Sequence, residues 1–169
     1  VRGGCKMGDM KMIDHMIFDA LTDAYGGMHM GITAENVAER FGLTRQMQDE
    51  FAIASQQKAI AAQDAGKFVE EIVPITVKQG KTEVVFAAGE YLKRKTTPEK
   101  LGTLRPACKK DGTVTAGNAS GRNDGAAFVL MMTAEKAKEL GYEPYAKWVC
   151  GADYGVEPRL MGIGPAFSN

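Results

Sequence analysis

The 169 residues carry 21 basic and 21 acidic side chains, a formal net charge of zero, with 44% hydrophobic residues, 25% charged residues and 20 glycines. That is the composition of a globular protein rather than a disordered one, and at this length the first expectation is one domain that buries on the order of 70% of its unfolded-chain surface. A neutral total argues against a nucleic-acid binder, and no run of apolar residues is long enough to cross a bilayer, so neither nucleic acid nor membrane is an expected partner.

In chain order, residues 9–20 predict a helix, because Met12, Ile13, Met16 and Ile17 recur at the spacing of one helical face. Thr33 is placed to N-cap a short helix over 34–41, with Glu35 in its first turn and Gly42 as a left-handed stop. Thr44 repeats the device for a long helix reaching Ala65, with Asp49 and Glu50 early, Gly66 as the stop and an alanine-rich stripe that permits close packing. Residues 71–77 and 82–86 read as short strands around a turn at Gln79-Gly80, and Pro74 makes the first an edge or bulged strand.

Residues 90–111 are polar and basic, with Lys93, Arg94, Lys95, Lys100, Arg105, Lys109 and Lys110 and two prolines, and predict a loop with a short helix near 99–101. Residues 112–125 are small and turn-forming, a texture that lets a ligand approach the backbone closely. They run straight into the wholly apolar stretch 126–132, which predicts a strand covered on both faces, as in a layered α/β protein, although the rest of the sequence supplies little sheet for it. Thr133 caps a helix over 134–140 with Gly141 as its stop, and 145–152 predicts a last strand. Val1 in place of an initiator Met, and a closing stretch 164–169 that reads as the opening of a helix, raise the expectation that the sequence is the middle of a longer one.

Three features carry chemistry. Basic clusters flank the small-residue loop and could meet phosphates through charge and backbone N–H groups, while charge alone favours a solvated surface. The loop is neither a phosphate-binding GxxxxGK[ST] nor a dinucleotide fingerprint. His29, between Met28 and Met30 at a helix entrance, suits a ligand hydrogen bond or a purely structural one equally. Cys5, Cys108 and Cys150 lie far apart with only His15 and His29 for company, which predicts no disulfide framework, no zinc or other metal site and no activated nucleophile, but inert thiols in a reducing, cytoplasmic compartment. The residues Val1-Arg2-Gly3-Gly4 carry no apolar signal segment.

Particular words of the sequence go further. Lys6-Met7-Gly8-Asp9, His29-Met30-Gly31-Ile32-Thr33-Ala34-Glu35-Asn36-Val37-Ala38, Gln48-Asp49-Glu50-Phe51-Ala52 with Ser55-Gln56, Glu71-Ile72-Val73-Pro74, Leu104-Arg105-Pro106, the run from Gly112 to Ala127 and Met161-Gly162-Ile163-Gly164-Pro165 closely resemble the thiolases, in order along essentially the whole chain. His-Met-Gly before Thr-Ala-Glu-Asn resembles the short-chain, acetyl-CoA acetyltransferase branch, whose members condense two acetyl-CoA to acetoacetyl-CoA or run the reverse thiolysis. The resemblance implies an α/β, thiolase-like layered fold, present in part: a coenzyme A-binding loop domain over 1–122, the last strand and helix of the N-terminal half over 123–143, and the start of the C-terminal half over 144–169. It also implies that the partners of the apolar strand 126–132 belong to other parts of such a protein, and that the full protein is a homotetramer or homodimer.

By the same resemblance Ser120 matches the serine that hydrogen-bonds the pantetheine arm, and Ala116 and Gly117 match small residues lining the channel near the acyl group. His29 and Met30 match residues at the thioester end, Met30 keeping the acyl pocket short, and Leu21 and Leu104 match apolar wall positions. Lys93 and Arg94 match the nucleotide side, Lys93 where the family usually has an arginine; Lys100 stands where a small polar residue is usual and Cys108 where an aromatic wall residue is common. The nucleophilic Cys, activating His, second Cys and Asn-held oxyanion site of the family match nothing here, so no catalytic residue is expected in this chain, no cofactor beyond coenzyme A thioesters as substrates, and no potassium dependence with Gln56 at its position. Two other readings remain: a 3-ketoacyl-CoA thiolase of β-oxidation, which residues 39–41 and 55–59 resemble and His29 opposes, and a non-catalytic coenzyme A-binding or oligomerisation module.

Overall fold

The computed structural model describes residues 7–169; Cys5 and the Lys6 that opens the first motif lie outside the described residues. Most helices form where the sequence supplies a cap. α1 spans Met30–Phe41, α2 Arg45–Asp64, α3 Pro98–Gly102 and α4 Ala134–Leu140. The hydroxyls of Thr44, Thr97 and Thr133 accept the N–H groups of Met47, Lys100 and Lys136 at 3.2, 3.3 and 3.2 Å, each satisfying a donor that a helix start leaves free. Gly42 and Gly141 close α1 and α4 in the left-handed region, at φ 65° and 73°.

α1 departs from expectation. It begins at Met30 rather than Ala34, because the Nδ1 of His29 accepts the Gly31 N–H at 3.0 Å and caps the helix four residues early. Thr33 is therefore inside the helix, buried, its hydroxyl donating back to the Met30 carbonyl at 2.8 Å. Glu35 and Asp49 fall in second turns, not first, so neither serves the helix dipole. The helix expected over 9–20 shrinks to a π-helical turn at Met16–Ala20. Met12 and Ile13 stand exposed there, and a short helix whose apolar stripe finds nothing to pack against lacks its main source of stability.

The strands form a single hairpin, the only sheet among the described residues. β1 (Ile75–Gln79) and β2 (Thr82–Phe86) pair antiparallel from Ile75 opposite Phe86 to Gln79 opposite Thr82. The turn is Gly80-Lys81, one residue later than expected, with Gly80 at φ 63° as a two-residue hairpin loop requires. β1 starts after Pro74, which has no N–H to give a ladder.

Neither other expected strand forms. Residues 126–132 and 145–152 join no ladder, since no described segment runs alongside to take their backbone groups. Phe128, Val129, Leu130 and Met131 are 72–96% exposed, and Tyr145, Trp148 and Val149 stand out likewise. At the C-terminal end, a 3-10 turn at Pro158–Ile163 packs on α1, with the Asn36 carboxamide donating to the Arg159 carbonyl at 3.1 Å. α5 (Pro165–Ser168) follows, and its Phe167 stacks on Tyr154 at 4.8 Å.

What is buried is unusual for its polarity. Beside the apolar Ala38, Leu101 and Ala137 stand Thr33, Glu35, Asp49 and Thr115, and three of those four belong to one polar cluster between α1, α2 and the loop after Gly112.

Candidate functional site

The small-residue loop is held from two helices by two carboxylates. From α1, Glu35 accepts the N–H groups of Thr113 and Val114, both at 2.8 Å, and the Thr113 hydroxyl at 2.9 Å. Burial alone would push its pKa up; the Thr113 and Val114 N–H groups, the Thr113 hydroxyl and the nearby Lys109 charge outweigh burial and leave it below the ordinary value. Gln48 on α2 reaches the same hydroxyl at 2.9 Å.

From α2, Asp49 accepts the Asn118 carboxamide at 3.0 Å and the Arg45 Nε at 2.8 Å. The same arginine donates to the carbonyls of Leu101 and of Leu104, the latter at 3.2 Å. Asn118 in turn accepts the Thr115 N–H at 2.7 Å and donates to the Thr113 carbonyl at 3.0 Å, so one side chain closes the turn Thr113 to Asn118. Thr115, at its centre, is wholly buried. The loop also pairs with the stretch after α3, Ala107 donating to the Val114 carbonyl at 2.8 Å.

The expected ligand residues fall into two kinds, the small or apolar residues with His29 and the cations, which sit in several places. Leu21, His29 and Met30 come together through the Met30 N–H on the Leu21 carbonyl at 2.8 Å and a bridge between Thr22 and His29. Because His29 accepts at Nδ1, its other nitrogen, Nε2, is left to donate. The Cys108 sulfur lies against Gly31 next to that imidazole. Gly117 lies under Leu101 and Leu104, whose methyl carbons would meet an added Cβ at 2.5 and 2.6 Å. Ala116 and Ser120 are exposed on the outer side of the loop.

The second kind is the cations. Lys93 and Arg94 line a cavity of about 350 Å³ against α2, with Gln56, Ile60, Asp64 and Thr96. Gln56 accepts the Lys93 N–H at 3.0 Å, and the Lys93 ammonium sits 5.3 Å from the Tyr91 ring, which itself covers Gly121 beside Ser120. Arg94 is engaged: its guanidinium forks onto Asp64 at 2.7 and 3.1 Å and reaches Gln63 at 2.6 Å. Lys100, on α3, donates to the Lys95 carbonyl at 2.7 Å. Of the three cations, Lys93 alone has no carboxylate or carbonyl on its charged group among the described residues.

The residues that build the frame, Arg45, Glu35, Asp49 and Asn118, were absent from the expected site. Local patterning assigns Glu35 and Asp49 to helix starts; the available signal was that Asn118 and Glu35 stand inside the two longest motif words and Asp49 inside a shorter one. Among the described residues no group of three or more His, Cys, Asp and Glu converges as a metal would need, and no helix is long and apolar enough to cross a membrane.

Comparison with known proteins agrees along the chain. The family described as thiolase, N-terminal domain, matches residues 1–135. Acetyl-CoA acetyltransferases of Rhizobium meliloti and Allochromatium vinosum are 58% and 56% identical over 165 residues, covering 98% and 97% of this chain and 42% of each of theirs. The crystal structure of the Bacillus anthracis acetyl-CoA acetyltransferase superposes with a TM-score of 0.87 at 45% identity, covering 96% of this chain and 41% of that one. The chain thus spans about two fifths of the length of the relatives it matches.

Proposed function

The chain belongs to the thiolase family, and from that premise we propose that it is the coenzyme A-binding middle of an acetyl-CoA acetyltransferase. In the whole enzyme a cysteine would take the acetyl group as a thioester and pass it to the α-carbon of a second acetyl-CoA, releasing coenzyme A and acetoacetyl-CoA, or the reverse. This chain supplies binding and no catalytic residue.

The observation that carries the proposal is the loop Thr113 to Ser120, fixed by Glu35 and Asp49, with Ala116, Ala119 and Ser120 left exposed. Ser120 would bond the pantetheine arm, Leu21 and Leu104 would wall it, Ala116 and Gly117 would line it near the acyl group, and the His29 Nε2 proton would face an acyl or amide oxygen. Lys93, with Arg94 and Lys100 behind it, would meet the nucleotide phosphates. The loop-domain division at 1–122, with 123–143 and 144–169 as parts of the two thiolase halves, a homotetrameric or homodimeric enzyme, a cytoplasmic location and the absence of any cofactor belong to the same proposal. The exposed apolar side chains at 126–132 support it, since in a longer polypeptide they would have a sheet to join.

The test is kinetic. The polypeptide encoded by the complete reading frame around this chain is assayed for thiolysis of acetoacetyl-CoA and of a long-chain 3-ketoacyl-CoA. A higher kcat/KM for acetoacetyl-CoA is expected. Better turnover of the long chain transfers the chain to the β-oxidation branch, and a reading frame that holds nothing beyond this chain, with coenzyme A bound but no turnover, makes it a binding module.

A further inference from the structure

We propose that Arg45, Asp49 and Asn118 are positioning residues that set the separation between two walls of the coenzyme A channel without touching the ligand. The inference rests on the channel being where the preceding section puts it. One wall is the end of α3 with Leu101 and Leu104; the other is the turn Thr113 to Asn118 that leads to Ser120. The two walls touch at Gly117, where there is no room for one more carbon between it and the leucine methyls.

A single relay holds both. Arg45 fixes the first wall by its carbonyls, Leu101 and Leu104, and holds one oxygen of Asp49. The other oxygen of Asp49 takes the Asn118 Nδ2, and that choice fixes the amide's orientation, so Oδ1 faces the Thr115 N–H and Nδ2 the Thr113 carbonyl. Asp49 is buried, and its two oxygens are each matched to a donor, which makes the relay sensitive to the donor–acceptor pattern and not merely to volume.

Replacing the carboxylate by an amide reverses one end of that pattern. In Asp49→Asn, Oδ1 stays with the Arg45 guanidinium and an NH₂ then faces the Asn118 NH₂. Asn118 must rotate its amide or withdraw, and either movement disturbs the Thr115 N–H bond and shifts Ala116 to Ser120. Ligand affinity therefore changes while the reacting groups, which come from elsewhere in the enzyme, do not.

The experiment uses the full-length enzyme and two readouts, thiolysis kinetics and calorimetric binding of coenzyme A. D49N is expected to raise KM and the Kd of coenzyme A about tenfold, the lower range for losing a hydrogen bond to a charged group, with kcat within about twofold. The double variant D49N/N118D, in which the amide at 49 can donate to a carboxylate at 118 although the Thr113 carbonyl loses its donor, is expected to recover part of the affinity relative to the product of the single losses. A fall in kcat at unchanged KM and Kd, or a lowered Tm with both constants unchanged, overturns the proposal. Affinity in the double variant no better than the product of the two single losses also overturns it. Wild-type enzyme that does not bind coenzyme A overturns the functional reading itself, and a wild type that binds while D49N binds equally well overturns only the relay.

Discussion

The sulfur of Cys108 occupies the space that a side chain on Gly31 would need. A Cβ there would stand 2.8 Å from the Cys108 Cβ and 3.2 Å from the His29 Nδ1. Replacing glycine by alanine in a helix ordinarily gains up to about 1 kcal/mol; here the collision reverses the sign. Gly31→Ala is expected to destabilise by about 1–3 kcal/mol in urea melts, as overpacking does. Cys108→Gly in the same background restores most of the loss. Simple additivity of the two changes would show that the residues do not press on each other.

Glu35 ties α1 to a loop 78 residues further along, and its loss leaves the N–H groups of Thr113 and Val114 without their acceptor. Glu35→Ala is expected to cost about 3 kcal/mol at neutral pH, and Glu35→Gln less, because one oxygen still accepts. The folded-state pKa lies below the ordinary 4.5, so the carboxylate's contribution is fully present above about pH 4.5 and disappears as pH falls through the lower folded value. Denaturant melts from pH 7 to pH 3 check this: the gap between the wild type and E35Q narrows only in the acid limb. A gap that narrows already between pH 7 and 5 contradicts the bonding described.

Arg94 and Asp64 illustrate a cation whose charge is held in reserve. Hydrogen bonding to Arg94 lowers the Asp64 pKa and the pairing raises that of Arg94. If this end of the chain meets phosphates, Asp64→Asn should free the guanidinium and lower the KM for coenzyme A about two- to fivefold at low salt, the range that exposed ion pairs allow. The advantage should fade near molar salt, where screening shortens to a few ångströms. Unchanged KM at every salt concentration would remove Arg94 from the nucleotide side and leave Lys93 and Lys100 there.

The stretch Phe128, Val129, Leu130 and Met131 leaves four consecutive apolar side chains exposed. The 169-residue chain on its own is expected to self-associate in sedimentation experiments at micromolar concentration. Phe128→Asp with Leu130→Asp should shift it toward monomer. A wild-type chain that stays monomeric and melts cooperatively would show that these side chains need no cover.

Local chemistry was legible in the sequence wherever the interaction it depends on is short-range. Thr44, Thr133, Gly42 and Gly141 act within one turn of themselves, and the helix ends they set appear as expected. α1 was misplaced at its start because an imidazole nitrogen did the work usually given to a hydroxyl or carboxylate, and Thr33 looked the better cap. The frame behind the ligand loop was out of reach for a different reason. Glu35 and Asp49 bond to partners 78 and 69 residues away, and nothing in their immediate neighbourhood announces a second role beyond the first turn of a helix. The two missing strands show the opposite limit: neither 126–132 nor 145–152 joins a ladder, because a ladder needs a neighbour as well as a pattern.

The side-chain bonds to the loop have a dynamic consequence. Thr113, Val114 and Thr115 lie in no helix or strand, yet the first two amide hydrogens are held by the buried Glu35 of α1 and the third by Asn118 of the same turn, whose own amide is held by Asp49 of α2. Amide exchange with deuterium at these three positions should therefore be slow, opening only with the packing of α1 and α2, while the exposed segment 126–132 exchanges within the dead time. A stretch that is coil by its backbone geometry would then behave, by its lifetime, as part of the core.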